Sequence, residues 1–220
     1  LSGMMGLLGP GIDFTKFIFP GIIGMSVLMS SLMSGVSLVW DREFGFLKEV
    51  LVAPISRISV VIGKTLGAAT IALIQGSLIL LFAPLIGITF SVQTILIVLP
   101  LMFLLASSLG SFGILLATRI RSMEAFQAVM QMLMFPMVFL SGVFFPLQDL
   151  PSWMSVLVKI NPASYGIAAI RQVILGSSSE SLYAIELFGR TLSLWDNVAI
   201  MLVLATIVIL LAMWSFSNQE

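Results

Sequence analysis

The sequence predicts an all-α integral membrane protein, a polytopic helix bundle, on three observations. Its 220 residues are 59% hydrophobic and only 9% charged, with a mean hydropathy of +1.16. Soluble domains carry about 25% charged residues, so this chain cannot cover a water-facing surface and its solvent is largely lipid. The apolar residues fall in long unbroken runs rather than in alternation, which favours helices over barrel strands. The charge is also gathered: seven of the twenty Asp, Glu, Lys and Arg residues lie between Asp41 and Lys64.

In chain order, residues 1–16 are rich in Gly and Met, interrupted by Pro10, and contain Asp13 and Lys16. They lack the ~20 consecutive apolar residues of a membrane span and the basic start of a signal peptide. Five segments then qualify as spans by length and lack of charge: 17–39, 65–88, 94–117, 125–145 and 197–216. Arg42, Lys48, Arg57 and Lys64 flank the first loop, and Arg119 and Arg121 sit in the third, whereas residues 89–93 carry no charge. The bias of Lys and Arg toward the cytosol places the first and third loops inside, residues 146–196 outside and the C-terminus in the cytosol. This is the topology of a multi-pass protein of the cell (plasma) membrane. Gly63 with Gly67, and Ala68, Ala72 and Gly76, recur every four residues and offer close-packing faces, within the subunit or between subunits.

Composition closes several function classes. Cys and His are both absent, which removes disulfides, thiol nucleophiles, most zinc sites and the usual proton shuttle near neutral pH. A net charge of zero leaves no basic footprint for nucleic acid. A self-contained membrane enzyme needs a polar catalytic cluster, and the acids outside the first loop are scattered. No predicted span holds Asp, Glu, Lys or Arg in its middle. Secondary transporters usually bury such groups to bind the coupling ion, so energy is expected to arrive from outside the bilayer.

The loop at 40–64 is the strongest polar feature. Asp41 is a plausible N-cap and Pro54 tends to end a helix at or before Ala53. At 100° steps, Trp40, Phe44, Leu47, Val50 and Leu51 share one face; Asp41, Arg42, Gly45, Lys48 and Glu49 share the other, with Glu43 at the apolar edge. This pattern predicts a short amphipathic helix at the membrane surface, either an anchor or a docking element. Gly63-Lys64-Thr65 is not a phosphate loop, because Ile58 stands where the motif needs its first Gly. Lys64 is expected to snorkel from the helix end to the interface.

Arg42-Glu43-x-Gly45-x-Leu47, then Leu51-Val52-Ala53-Pro54-Ile55-Ser56-Arg57, then Gly63-Lys64 resembles the signature of ABC-2 type transporter permeases, closest to the drug-resistance and polysaccharide-export branch. Ser141-Gly142-Val143-Phe144-Phe145-Pro146, Leu150-Pro151-Ser152-Trp153 and Asn161-Pro162-x-x-Tyr165 with Arg171 resemble that family's last outer loop. The resemblance covers nearly the whole chain in the expected order. It implies six spans, hence one preceding those seen here, and a multidrug-type export activity carried out by a pair of permeases. It also implies that the hairpin docks on a separate cytosolic ATPase subunit, which would bind the ATP, leaving this chain without a cofactor or an enzymatic step of its own. The coupling role falls on Arg42, Glu43, Gly45, Leu47, Pro54 and Arg57. Phe46 and Lys48 depart from the family pattern, where Thr and Glu are usual.

Gly142 and Pro146 are expected to end the fourth span, and Pro151 to open a short helix. Residues 163–175 are too short to cross and are expected to form a re-entrant or interfacial helix. Gln127 and Gln131 share a helix face, either bonding to another helix or lining a pathway. Met130, Met132, Met134 and Met137 lie nearby, and flexible thioethers suit varied apolar cargo. Drugs, lipids and lipid-linked glycans all fit such an interior.

Overall fold

The computed structural model describes residues 14–46, 56–120, 122–144, 147, 150–176, 185–187 and 190–217. Among these residues there are eight α-helices: α1 (Phe14–Leu32), α2 (Gly35–Glu43), α3 (Arg57–Leu80), α4 (Val92–Arg119), α5 (Met123–Phe139), α6 (Ser152–Ile160), α7 (Pro162–Leu175) and α8 (Leu194–Ser217). A two-residue antiparallel ribbon, β1 (Glu186–Leu187) with β2 (Arg190–Thr191), precedes α8. Four stretches are long and apolar enough to cross a membrane: Thr15–Glu43, Arg57–Ile86, Val92–Arg119 and Leu194–Ser217. The protein is thus an all-α polytopic membrane protein.

α4 is the centre of the bundle. It packs against α1, α2, α3, α7 and α8, and its buried positions include Leu101, Met102, Leu105, Leu109 and Ile114. Close approach to it is set by glycine. A Cβ added at Gly113 would collide with the Leu32 carbonyl, and one added at Gly35 with the Gly113 carbonyl. The chain breaks at Met33–Ser34 where it crosses α4, and there the Ser34 hydroxyl donates to the Gly110 carbonyl at 3.2 Å. Ala68, Ala72 and Gly76 are buried inside the subunit, whereas Gly63 and Gly67 face open space.

Helix starts follow side-chain capping. Ser56, Ser91 and Ser122 each accept from the amide three residues on, opening α3, α4 and α5. Ser193 and Asp196 cap reciprocally at the start of α8: Ser193 N–H donates to the carboxylate at 2.9 Å, and Asp196 N–H donates to the Ser193 hydroxyl at 3.3 Å.

Two expectations are corrected and a third is narrowed. Asp41 does not start a helix: residues 41–43 complete α2, which ends when Phe44 N–H donates to the Trp40 carbonyl at 2.9 Å and Gly45 takes φ 79°. The apolar face counted across Trp40 and Phe44 therefore belongs to the end of the first span and its turn. The fourth predicted span, 125–145, contains a helix of only 17 residues, about 25 Å long at 1.5 Å per residue and short of a ~30 Å hydrocarbon core. It stops early because Gly142 turns the chain with φ 76°. Nor does α7 lie on a surface. Ala163 to Gln172 are buried without interruption, packed against α1, α4 and α8, which leaves the re-entrant alternative.

Candidate functional site

Four helix termini meet at one end of the bundle, and they carry the residues singled out in the hairpin. α2 arrives at this end and α3 leaves from it, while α4 and α8 finish there. The last carbonyls of α4 and α8 lack intrahelical donors and carry the negative end of the helix dipole, so cations are favoured beside them. Arg42, in the last turn of α2, reaches across to α4 and donates from Nη1 to the carbonyls of Ile120 (3.1 Å) and Ala117 (3.3 Å). Arg57, the first residue of α3, donates to the carbonyl of Ser217 at the end of α8 at 3.0 Å.

A second set of bonds ties the helices to each other. Lys64 does not extend freely to the interface as a lone snorkelling cation. Its ammonium sits 2.6 Å from the Asp41 carboxylate and 3.0 Å from the Ser37 hydroxyl, joining α3 to α2. Thr118 and Ser215 share a hydrogen bond of 2.7 Å, and Arg119 Nε donates to the same Ser215 hydroxyl at 3.1 Å, joining α4 to α8.

The structure thus divides the six hairpin residues. Arg42 and Arg57 turn to helix termini of their own chain. Glu43 is exposed, and Gly45 makes the left-handed bend that turns Phe44 and Phe46 outward at 80% and 53% exposure. Leu47 and Pro54 lie outside the described residues. Sequence reasoning missed the partners of the arginines: Ala117, Ile120 and the Ser215–Ser217 end of α8. The one signal for them was the small polar pair Ser215 and Ser217 closing the long apolar run of α8.

At the opposite end, α6 and α7 form a cap, with Pro151 at the head of α6. Asn161 holds the α6–α7 corner. Its Oδ1 accepts from Ala163 N–H at 3.1 Å, and its Nδ2 donates to the Met137 carbonyl at 2.8 Å. Ser164 donates to the Leu140 carbonyl at 3.1 Å, and Arg171 donates to the Val143 carbonyl at 3.3 Å. Arg171 is among the most buried large side chains and lies 4.4 Å over the Phe17 ring. Gln172 and Asn197 continue the network to α8 and to the Leu192 carbonyl.

Gln127 and Gln131 are exposed on α5, beside Met132 and Phe135 at 80% and 73% exposure. Neither hydrogen-bonds to another described residue, so the helix-to-helix bond is not made within this chain. An apolar crevice of about 270 Å³ opens between α3, α4 and α8, with Thr65, Ser107 and Thr206 as its only polar lining residues. Among the described residues no group of His, Cys, Asp or Glu could hold a metal ion.

Fold and site together define a polytopic α-helical membrane protein whose polar contacts are concentrated at the two ends of its bundle. The family model for "ABC-2 type transporter" matches residues 4–175, and the chain belongs to that family. It is 33% identical over 182 residues to the transport permease ycf38 of Cyanophora paradoxa, covering 80% of this chain and 63% of that protein. It is 27% identical over 176 residues to the multidrug ABC transporter permease YbhR of Escherichia coli, covering 77% and 46%. To nodulation protein J of Rhizobium leguminosarum it is 26% identical over 178 residues, covering 80% and 67%. The chain therefore spans about half to two thirds of the length of these relatives.

Proposed function

We propose that this chain is the membrane-spanning permease part of an ATP-driven ABC exporter that moves amphipathic or lipid-like cargo outward across the cell membrane. ATP is bound and hydrolysed on a separate cytosolic subunit, two permeases pair, and the end bearing Arg42, Arg57 and Ser217 faces the cytosol. The coupling set is Arg42, Glu43, Gly45, Leu47, Pro54 and Arg57. One observation carries the reading. Exposed Glu43, Phe44 and Phe46 lie at the end of α2 and around the bend at Gly45, and the helices α2 and α3 on either side of the hairpin are tied to two further helix ends. An exposed aromatic pair beside an acid, on a polar end of a lipid-embedded bundle, fits a protein partner's cleft.

The family supports transport, and the lack of charge in the middle of the described spans supports an external energy source. In the described spans, the charged side chains sit near the helix ends. Exposed Gln127 and Gln131 with Met132 fit a pathway shared between two permeases, where their amides would meet cargo or the other copy.

The test is a mild-detergent pull-down of the full-length protein from its native membrane. A nucleotide-binding ATPase should be retained, and Glu43→Lys should release it while the permease still inserts. Recovery of no ATPase, under conditions where other membrane complexes survive, would remove the exporter reading.

A further inference from the structure

We propose that Arg42 and Arg57 are positioning residues that form a mechanical latch, transmitting displacement of the hairpin to α4 and α8, while contact with the ATPase falls to Glu43, Phe44 and Phe46. The inference rests on the hairpin being the ATPase dock. The two arginines bracket the hairpin, one just before its turn and one at its return. Each donates to the C-terminal carbonyls of a different long helix: Arg42 to Ala117 and Ile120, Arg57 to Ser217. Neither α4 nor α8 is joined to the hairpin through the chain, and these bonds add a polar grip at their ends to the packing of α2 and α3 against α4 and of α3 against α8. The Thr118–Ser215 bond then makes the two gripped ends neighbours. A push on the turn at 43–46 therefore acts on the central helix of the bundle and on the last one together.

Guanidinium suits this work. It is always charged and offers several donors in a rigid fork, so one side chain can hold two carbonyls as they shift. Lysine keeps the charge but not the fork, which gives the latch a graded variant. Ile120 is already extended, with φ −102° and ψ 128°, so Arg42 grips the link where α4 gives way to α5, and both helices follow.

The experiment uses the full-length permease–ATPase complex, with spin labels at Trp40→Cys on α2 and Glu124→Cys in the first turn of α5, beyond the Ile120 link gripped by Arg42. These 220 residues contain no cysteine, and any elsewhere in the complex are replaced by serine. In the otherwise unsubstituted complex the label separation should stay the same between nucleotide-free and vanadate-trapped states, because the two ends move as one body. Arg42→Gln should retain the ATPase yet make the separation change between the two states. Arg42→Lys should lie between, and Arg57→Gln should do the same for a label pair at Ile58→Cys and Trp214→Cys. Loss of the ATPase with Arg42→Gln, as with Glu43→Lys, would overturn the latch in favour of direct docking. So would an unchanged separation in Arg42→Gln. An unsubstituted complex that holds no ATPase would overturn the docking reading and the latch with it.

Discussion

The two ends of the bundle solve one problem with opposite chemistry. Each must satisfy helix carbonyls that have run out of amide donors. At the cap, Asn161, Ser164 and Arg171 reach Met137, Leu140 and Val143, at successive three-residue steps along the end of α5. These groups are buried, and two of the three donors are short and neutral. At the hairpin end the donors are long cations, partly exposed, reaching from one helix to another. Short buried donors fix a geometry, because moving them strands a carbonyl in an apolar interior. Long exposed cations hold a geometry that water can relieve, so it can change without a large penalty. The cap is built to stay in place and the hairpin end to move.

The largest effect that would sharpen this contrast is at the cap. Asn161→Ala should destabilise the protein by about 1–3 kcal/mol, since it removes an N-cap and leaves the half-buried Met137 carbonyl without that donor. Urea unfolding in detergent, followed by tryptophan fluorescence, measures it. The loss should not depend on ionic strength, because both partners in the bond are neutral. A loss under about 0.5 kcal/mol would mean that water replaces Asn161 freely, and the cap would then be no more fixed than the hairpin end.

Much of this was legible in the sequence, but unevenly between the two ends. The long apolar runs gave away their helices, because length and lack of charge alone decide a lipid-facing segment. Gly142, expected with Pro146 to end the fourth span, adopts a conformation that suits glycine just beyond α5, while Pro146 lies outside the described residues. The fate of residues 163–175 was not legible. A 14-residue apolar helix has the same composition whether it lies on a surface or is enclosed by α1, α4 and α8. Asp41 misled because its residue type favours N-caps, while its carboxylate is in fact the partner of Lys64, 23 positions away. The hairpin residues themselves could be picked out by resemblance. The inward turn of Arg42 and Arg57 could not, because their acceptors are backbone carbonyls, and any residue type supplies those.

A smaller effect probes the bend between the two roles. Gly45 has φ 79° and open space around its Cα, so Gly45→Ala meets no clash and costs only the left-handed backbone, about 1 kcal/mol. Gly45→Asn should cost less, since Asn tolerates that region. The expected readout is local: faster limited proteolysis at the turn, ranked Ala above Asn above Gly, with the global unfolding midpoint nearly unmoved. A global shift as large as that of Asn161→Ala would show that the turn is structural support for the whole bundle rather than an adjustable projection.

The smallest effect tests the ion pair that joins α2 to α3. Asp41 and Lys64 side chains are 25% and 21% exposed at a separation of 2.6 Å. A pair that water still reaches contributes roughly 0.2–1 kcal/mol, and salt screens it. A double-mutant cycle of Asp41→Ala and Lys64→Ala should return a coupling in that range at low salt, falling toward zero at 1 M, where the Debye length is about 3 Å. Ser37 must be kept in all four proteins, because its hydroxyl is the second acceptor for Lys64. A coupling above about 2 kcal/mol, insensitive to salt, would place this pair with the buried contacts of the cap. The hairpin end would then be as fixed as the cap, and the contrast between the two ends would fail.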